Sequence, residues 1–343
     1  MQTVYFDNNA TTMVAPEVTE AMLPFFGQFY GNPSSMHRFG GEIMGKVDEA
    51  RGKIAQFLNA EPDEIIFTGC GTESDNAALN GFAELHGPQN ITIITSKVEH
   101  PAIITPCRNL KKKGATIIEI PVNSKGELDM AAYAAALEAP GKKIVSIMWA
   151  NNETGVVFPI RQIAQMAKTA GAVMHTDAVQ AAGKTQIDLN DVPVDLLSIS
   201  GHKLHAPKGI GVCYMRRGTN LPPFIAGGHQ ESGRRAGTEN VPYIVGLAKA
   251  CELAGATMQQ DIERERALRD KLEQGLLAAC PDARINGADA ERLSNTTNIS
   301  FEYVEGEAII YMMSDAGICA STGSACASGS LEPSHVIRAM AVP

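Results

Sequence analysis

Short apolar runs alternate with helical stretches from residue 65 to residue 215, and no other feature of the chain restricts its fold as much. Residues 91–95, 116–120, 144–149, 172–175 and 195–199 read as buried strands, with 65–67 before them and 211–215 after. Helical patterns fall between several of them, for example over 160–170. Such alternation predicts an α/β fold with a mainly parallel sheet. Past residue 240 the pattern changes. A long helical stretch is expected from about Pro242 to Cys280, where Leu268, Leu272 and Leu276 recur every four residues as one apolar stripe. Pro281 stops it. Residues 281–343 hold short strands such as 297–301 and read as part of a second, smaller domain reached through the long helix.

A chain of 343 residues can build one large domain and a lesser one. Its 29 Lys and Arg against 38 Asp and Glu give a net charge of −9. That balance offers no general attraction to nucleic acid or anionic lipid, so any bound phosphate needs a locally built site. Seven cysteines, without a CxxC pair, argue against a disulfide framework or a zinc ribbon and imply a reducing compartment. The N-terminus has no basic region followed by an apolar run, and no stretch approaches the length of a membrane span. A cytoplasmic protein without metal, membrane or nucleic-acid partners is expected.

Five segments carry candidate chemistry. Residues 200–209 (SGHKLHAPKG) follow a strand, where open α/β sheets gather ligands. Lys203 there can form a Schiff base with an aldehyde cofactor, and Ser200 and His202 can donate to a phosphate; a solvated lysine in a glycine-rich turn fits the same letters. Asp177 in 174–180 (MHTDAVQ) also follows a strand and can hold a protonated pyridine nitrogen, with Gln180 one turn on; a helix-capping Asp is the plain alternative. Residues 67–76 (FTGCGTESDN) run from a strand through Gly69 and Gly71 into a helix start at Thr72–Asp75, a plausible anion cradle that is not a P-loop. His100 in 98–102 (VEHPA) can stack on a ring or relay protons, or be structural. Cys326 lies in a run of small residues, 320–330 (ASTGSACASGS), which reads as an exposed, mobile loop that gives a thiol access; Cys319 looks more strand-like and buried. Arg338 and Asn152 are candidate carboxylate anchors.

In order along the chain, these segments join residues 5–12 (YFDNNATT), 31–35 (GNPSS), 227–231 (GGHQE), 234–240 (RRAGTEN) and 329–335 (GSLEPSH). The set resembles the pyridoxal-phosphate (PLP) dependent cysteine desulfurases of the nitrogen-fixation (NifS-like) type, within the class V aminotransferases. The resemblance covers essentially the whole chain. It implies the PLP-dependent transferase fold type I: a large domain of residues 13–250 around a mainly parallel sheet, and a smaller α/β domain of residues 1–12 and 251–343. It also implies roles. Lys203 carries PLP, Asp177 meets the pyridine nitrogen and Gln180 the ring oxygen. Gly71, Thr72, Ser200 and His202 surround the phosphate, and Thr238 reaches the phosphate of a neighbouring subunit, which makes a homodimer with shared sites. His100 stacks on the ring and moves protons, and Asn152 and Arg338 hold the substrate carboxylate. Cys326 attacks the sulfur of L-cysteine, alanine leaves, and the resulting persulfide goes to an iron–sulfur scaffold protein.

Members of this family usually continue for some tens of residues beyond the segment matching Arg338, so the C-terminal part of the small domain is expected to be incomplete. Two rival readings follow: a selenocysteine lyase or other PLP lyase, and a truncated PLP-binding chain without turnover.

Overall fold

The computed structural model describes residues 3–323 and 333–342; Cys326 lies outside the described residues. Strand β1 (Val4–Tyr5) leads to helices α1 (Pro16–Met22), α2 (Pro24–Gly27) and α3 (Arg38–Leu58). Strands and helices then alternate: β2 (Ile65–Thr68), α4 (Gly71–His86), β3 (Ile91–Ser96), α5 (Pro101–Lys112), β4 (Thr116–Ile120), α6 (Met130–Leu137), β5 (Lys142–Ser146), α7 (Ile160–Thr169) and β6 (Val173–Asp177). Next come β7 (Leu196–Ser200), β8 (Gly211–Met215) and the long helix α8 (Val241–Ala279). Last are β9 (Ala283–Ile285), β10 (Ile299–Phe301), α9 (Gly306–Asp315), β11 (Ile318–Cys319) and α10 (His335–Ala339).

Seven strands form one sheet in the order β2-β8-β7-β6-β5-β3-β4. The pairs from β7 across to β4 are parallel, and β8 runs antiparallel to both its neighbours. The expected mainly parallel sheet is present. Its central strands are buried at nearly every position because helices cover both faces. Successive residues in a strand point to opposite faces, and the core divides accordingly. Ile93, Ile144 and Leu196 pack with Leu79, Phe82, Ile103 and Leu110 of α4 and α5. Their neighbours Ile94, Val145 and Leu197 belong to the larger cluster, which includes Ile43, Val47 and Ile54 of α3 and Ile244 and Leu247 of α8.

One boundary and one buried face differ from the sequence pattern. Strand β5 ends at Ser146, not at Trp149, because the chain leaves the regular ladder. It stays tied to β6: Ile147 N donates to the His175 carbonyl at 3.3 Å and Trp149 N to the Asp177 carbonyl at 2.8 Å. The stripe on α8 is helical as expected, yet Leu268 is 57% and Leu272 41% exposed, since the described residues pack nothing over them. Away from the large sheet, β1 pairs in parallel with β11, and β9 pairs with β10 in antiparallel fashion.

Two buried acids brace the sheet, one at edge strand β2 and one between the ends of β3 and β5. Glu231 takes Arg51 in a two-pronged ion pair, both bonds at 2.7 Å, and also accepts from Phe67 N at 2.9 Å. Arg51 lies over the Phe67 ring, 4.6 Å from its centroid. Helix α3, edge strand β2 and the 230–233 turn are thereby fastened together, with Glu231 held at φ 49°. Truncating one partner of such a pair strands the other charge. Arg51→Ala is expected to lower unfolding free energy by about 3–5 kcal/mol, read by denaturant melts; a change within experimental noise contradicts this role.

Glu99 is the second brace. It bonds the Ser96 hydroxyl at 2.6 Å and accepts from Met148 N at 3.1 Å on each oxygen. Burial pushes its carboxyl up to about 8. The folded state therefore keeps a proton that the unfolded chain gives up from its ordinary value of 4.5 upward. Glu99 contributes stability that is full below that value and is lost as pH rises through about 8. Glu99→Gln, whose amide can satisfy the same partners, is expected to flatten the fall in melting temperature over this window; an unchanged pH profile contradicts the assignment.

Candidate active site

The site lies beyond the C-terminal ends of β6 and β7, where parallel α/β sheets leave a crevice. Asp177 is the last residue of β6 and Ser200 the last of β7, 6% and 3% exposed. A short helical turn over Gly201–Lys203 follows β7 and brings Lys203 near enough for its charge to act on Asp177. Lys203 Nζ donates to the Ala10 carbonyl at 2.8 Å and to that of Asn9.

Helix α4 aims its N-terminus at the same place. Its cap is Cys70, without a side-chain cap bond, and the helix opens at Gly71, one residue before the expected start at Thr72. Instead Glu73 reaches back and accepts from Gly69 N at 2.7 Å. Gly71 opens the helix, where a Cβ would come within 2.6 Å of Val179 Cγ2 and 3.3 Å of Ser200 Cβ. Only glycine lets the helix end close so tightly on the two strand ends. The backbone N–H groups of the first turn remain available to an anion.

The other expected residues fall around this point. Thr72 and His100 line one pocket together with Asn76 and Thr105. His100 caps α5, its Nδ1 accepting from Ala102 N at 3.1 Å. Burial, then the charges of Lys203 and His335, push it down to about 4, so it is neutral at physiological pH. His202 Nδ1 meets Thr11 Oγ1 at 3.1 Å, and burial followed by Lys203 pushes His202 to about 4 as well. Gln180 is buried and donates from Nε2 to the Asn9 carbonyl at 3.0 Å. The backbone carbonyl of Asn152 accepts from Asn9 Nδ2 at 3.2 Å. Arg338 sits on α10, which is docked by His335 Nε2 donating to the Glu99 carbonyl at 2.9 Å, beside His100. Thr238 is exposed, on a loop that Arg235 pins to Glu73 at 2.9 Å.

Behind Asp177 lies a buried polar cluster that the sequence did not announce. Asp75 of α4 and His175 of β6 approach to 3.5 Å, and His175 also meets Ser146 at 2.9 Å and Ser198 at 3.0 Å. Burial pushes His175 down to about 3, so it is neutral and the contact with Asp75 is no ion pair. Burial first, and then the charge of Asp177, raises the Asp75 carboxyl well above its ordinary range. Burial raises Asp177 too, but the Val179 N–H at 2.9 Å and Lys203 oppose this. Of two neighbouring buried carboxyls one keeps its proton; Asp75 does, and Asp177 carries the charge. Spacing held a hint: His175 precedes Asp177 by two on one strand, and Asp75 follows Thr72 by three on one helix. Lys184, four residues after Gln180, was also missed; its Nζ donates to Gln180 Oε1 at 3.0 Å.

The donor set fits PLP. An uncapped helix end suits its phosphate, a buried carboxylate suits its ring nitrogen, and a lysine between them suits its aldehyde. Among the described residues no cluster could hold a metal ion.

Comparison with known proteins agrees with this geometry. The family model described as aminotransferase class-V matches residues 4–342. Cysteine desulfurase 2 of Trichormus variabilis is 56% identical, covering 100% of this chain and 85% of that protein. Cysteine desulfurase NifS of Azotobacter vinelandii is 52% identical with the same coverage. A solved structure named NifS-like protein superposes with a TM-score of 0.93 at 38% identity, covering 100% of this chain and 90% of the other. Another, SspA in complex with cysteine, gives a TM-score of 0.87 at 34% identity, covering 99% and 95%. With cofactor geometry, fold and sequence in agreement, the chain belongs to the PLP-dependent class V aminotransferase family, on its cysteine desulfurase branch.

Proposed function

We propose that this chain takes sulfur from L-cysteine, releases L-alanine and leaves the sulfur as a persulfide on Cys326, for iron–sulfur cluster assembly. The observation that carries this reading is the meeting of Lys203, Asp177 and the N-terminus of α4 at one point beyond the sheet. Bound PLP supplies an electron sink joined to the substrate's α-carbon. Asp177 holds a proton on the ring nitrogen. Gly71, Thr72, Ser200 and His202 would hold the phosphate, and Gln180 the ring oxygen. Lys203 would hold the cofactor through its aldehyde, and its amine would move a proton at the substrate α-carbon. His100, neutral because it is pushed down to about 4, can accept a proton beside the ring. Asn152 and Arg338 hold the carboxylate. Cys326 attacks as thiolate: its sulfur bonds to the substrate sulfur, the carbon–sulfur bond breaks, and the carbon takes a proton, which balances as cysteine plus thiol giving alanine plus persulfide.

Further assignments rest on the same reading. Residues 13–250 form the cofactor-bearing unit, with 1–12 and 251–343 the smaller one. Thr238 completes a neighbour's phosphate site in a homodimer, and an iron–sulfur scaffold takes the sulfur. A cytoplasmic location suits the unbridged thiols among the described cysteines, and no described helix is long and apolar enough to cross a membrane.

The test is alanine formed from L-cysteine by the PLP-loaded chain with a thiol reductant. Cys326→Ala is expected to keep bound PLP and lose alanine production by roughly a hundredfold or more, the scale of removing a nucleophile. Lys203→Ala is expected to lose the covalently held cofactor as well. Undiminished alanine formation by the Cys326 variant contradicts the proposal.

A further inference from the structure

Asn9 sits where the lysine, Gln180 and the 295–296 segment meet. Its carbonyl accepts from Gln180 Nε2 at 3.0 Å and from Lys203 Nζ. Its side-chain Nδ2 donates to the Asn152 carbonyl at 3.2 Å and to Thr296 Oγ1 at 2.9 Å, and its Oδ1 accepts from Asn295 Nδ2 at 3.2 Å. These partners come from four separate stretches of chain. Thr296 is 3% exposed, so water cannot replace the contact cheaply.

We propose that Asn9 is a positioning residue that sets Lys203, Gln180 and the Asn152 backbone in one register against the 295–296 segment. The side chain anchors the peptide whose carbonyl serves the lysine. With the side chain gone, the 9–10 peptide is free to turn, and the acceptor shared by Lys203 and Gln180 moves with it. The Gln180 amide shows what is at stake. Its oxygen takes Lys184 and its nitrogen serves Asn9, and one orientation alone satisfies both. Turning the Asn9 carbonyl away removes half of that constraint.

The inference rests on reading Lys203 as the cofactor lysine. Its test uses PLP-loaded Asn9→Ala, Asn9→Asp and Thr296→Val, the last lying away from the lysine. Four quantities are compared with the parent: PLP content, melting temperature, the pH dependence of the bound cofactor's visible absorbance, and KM against kcat for alanine formation. Asn9→Ala and Thr296→Val are expected to move the absorbance–pH midpoint in the same direction. Asn9→Ala should raise KM about five- to tenfold, the size of one lost hydrogen bond, with a smaller change in kcat. Asn9→Asp, which keeps the acceptor for Asn295 but not the donor to Asn152, should fall between. The double variant should be no worse than Asn9→Ala alone.

An unmoved absorbance curve and KM in both Asn9→Ala and Thr296→Val, at full PLP content, overturns the proposal. So does a lower melting temperature with the curve unmoved, which marks a purely structural residue. If Asn9→Ala does not take up PLP, Thr296→Val decides by the same readouts. The absorbance comparison needs no cysteine, so a parent chain that made no alanine would defeat the desulfurase reading and leave this test standing.

Discussion

Asp177 keeps a negative charge at the buried end of β6, and the surrounding structure is arranged around that expense. An isolated carboxylate in such a place takes up a proton. Here the Val179 N–H and Lys203 favour the charged form, while Asp75 absorbs the neighbouring proton and His175 stays neutral. The sheet order makes this possible. Placing β6 between β5 and β7 brings Ser146, His175 and Ser198 side by side beneath α4. The antiparallel β8 then closes β7 against β2, which fixes where α4 can begin.

The site is also crossed by the chain's first residues. Thr12 N and Oγ1 both donate to the His202 carbonyl at 2.9 Å, Thr11 meets the His202 ring, and Asn9 and Ala10 take the lysine. The opposite end of the chain arrives through His335 on the Glu99 carbonyl. Glu99 in turn grips Met148, just before the Asn151–Asn152 turn. The turn carrying His100, the helix carrying Arg338 and the turn carrying Asn152 are thus three ends of one buried hydrogen-bonded junction. Such a junction orients side chains by many modest bonds, none of them strong alone.

The sequence made the periodic parts of this plain. Short continuous apolar runs separated by helical patterns are a direct consequence of a parallel sheet covered on both faces, so the strand positions, and the places of Lys203 and Asp177 at or just past strand ends, could be read from local order. The helix opens at Gly71, ahead of the expected Thr72, because its N-cap Cys70 makes no side-chain cap bond, so the capping letters that mark a helix start are missing there. The Asp75–His175 cluster was only hinted at by spacing, because its members come from α4, β5, β6 and β7 and meet only through the strand order. Asn9 stood within a recognisable run, yet its partners lie 143 to 287 residues away. The α8 stripe showed the converse: periodicity predicted the helix correctly but not what covers it.

The central claim is that Lys203, whose charge acts on Asp177, holds the cofactor. It is tested most directly by loading the chain with PLP, reducing with borohydride, digesting, and locating the added mass. Attachment at Lys203 is the predicted result. Attachment at half-buried Lys184 or at Lys208, five residues past Lys203, would contradict the account and move the site away from Asp177.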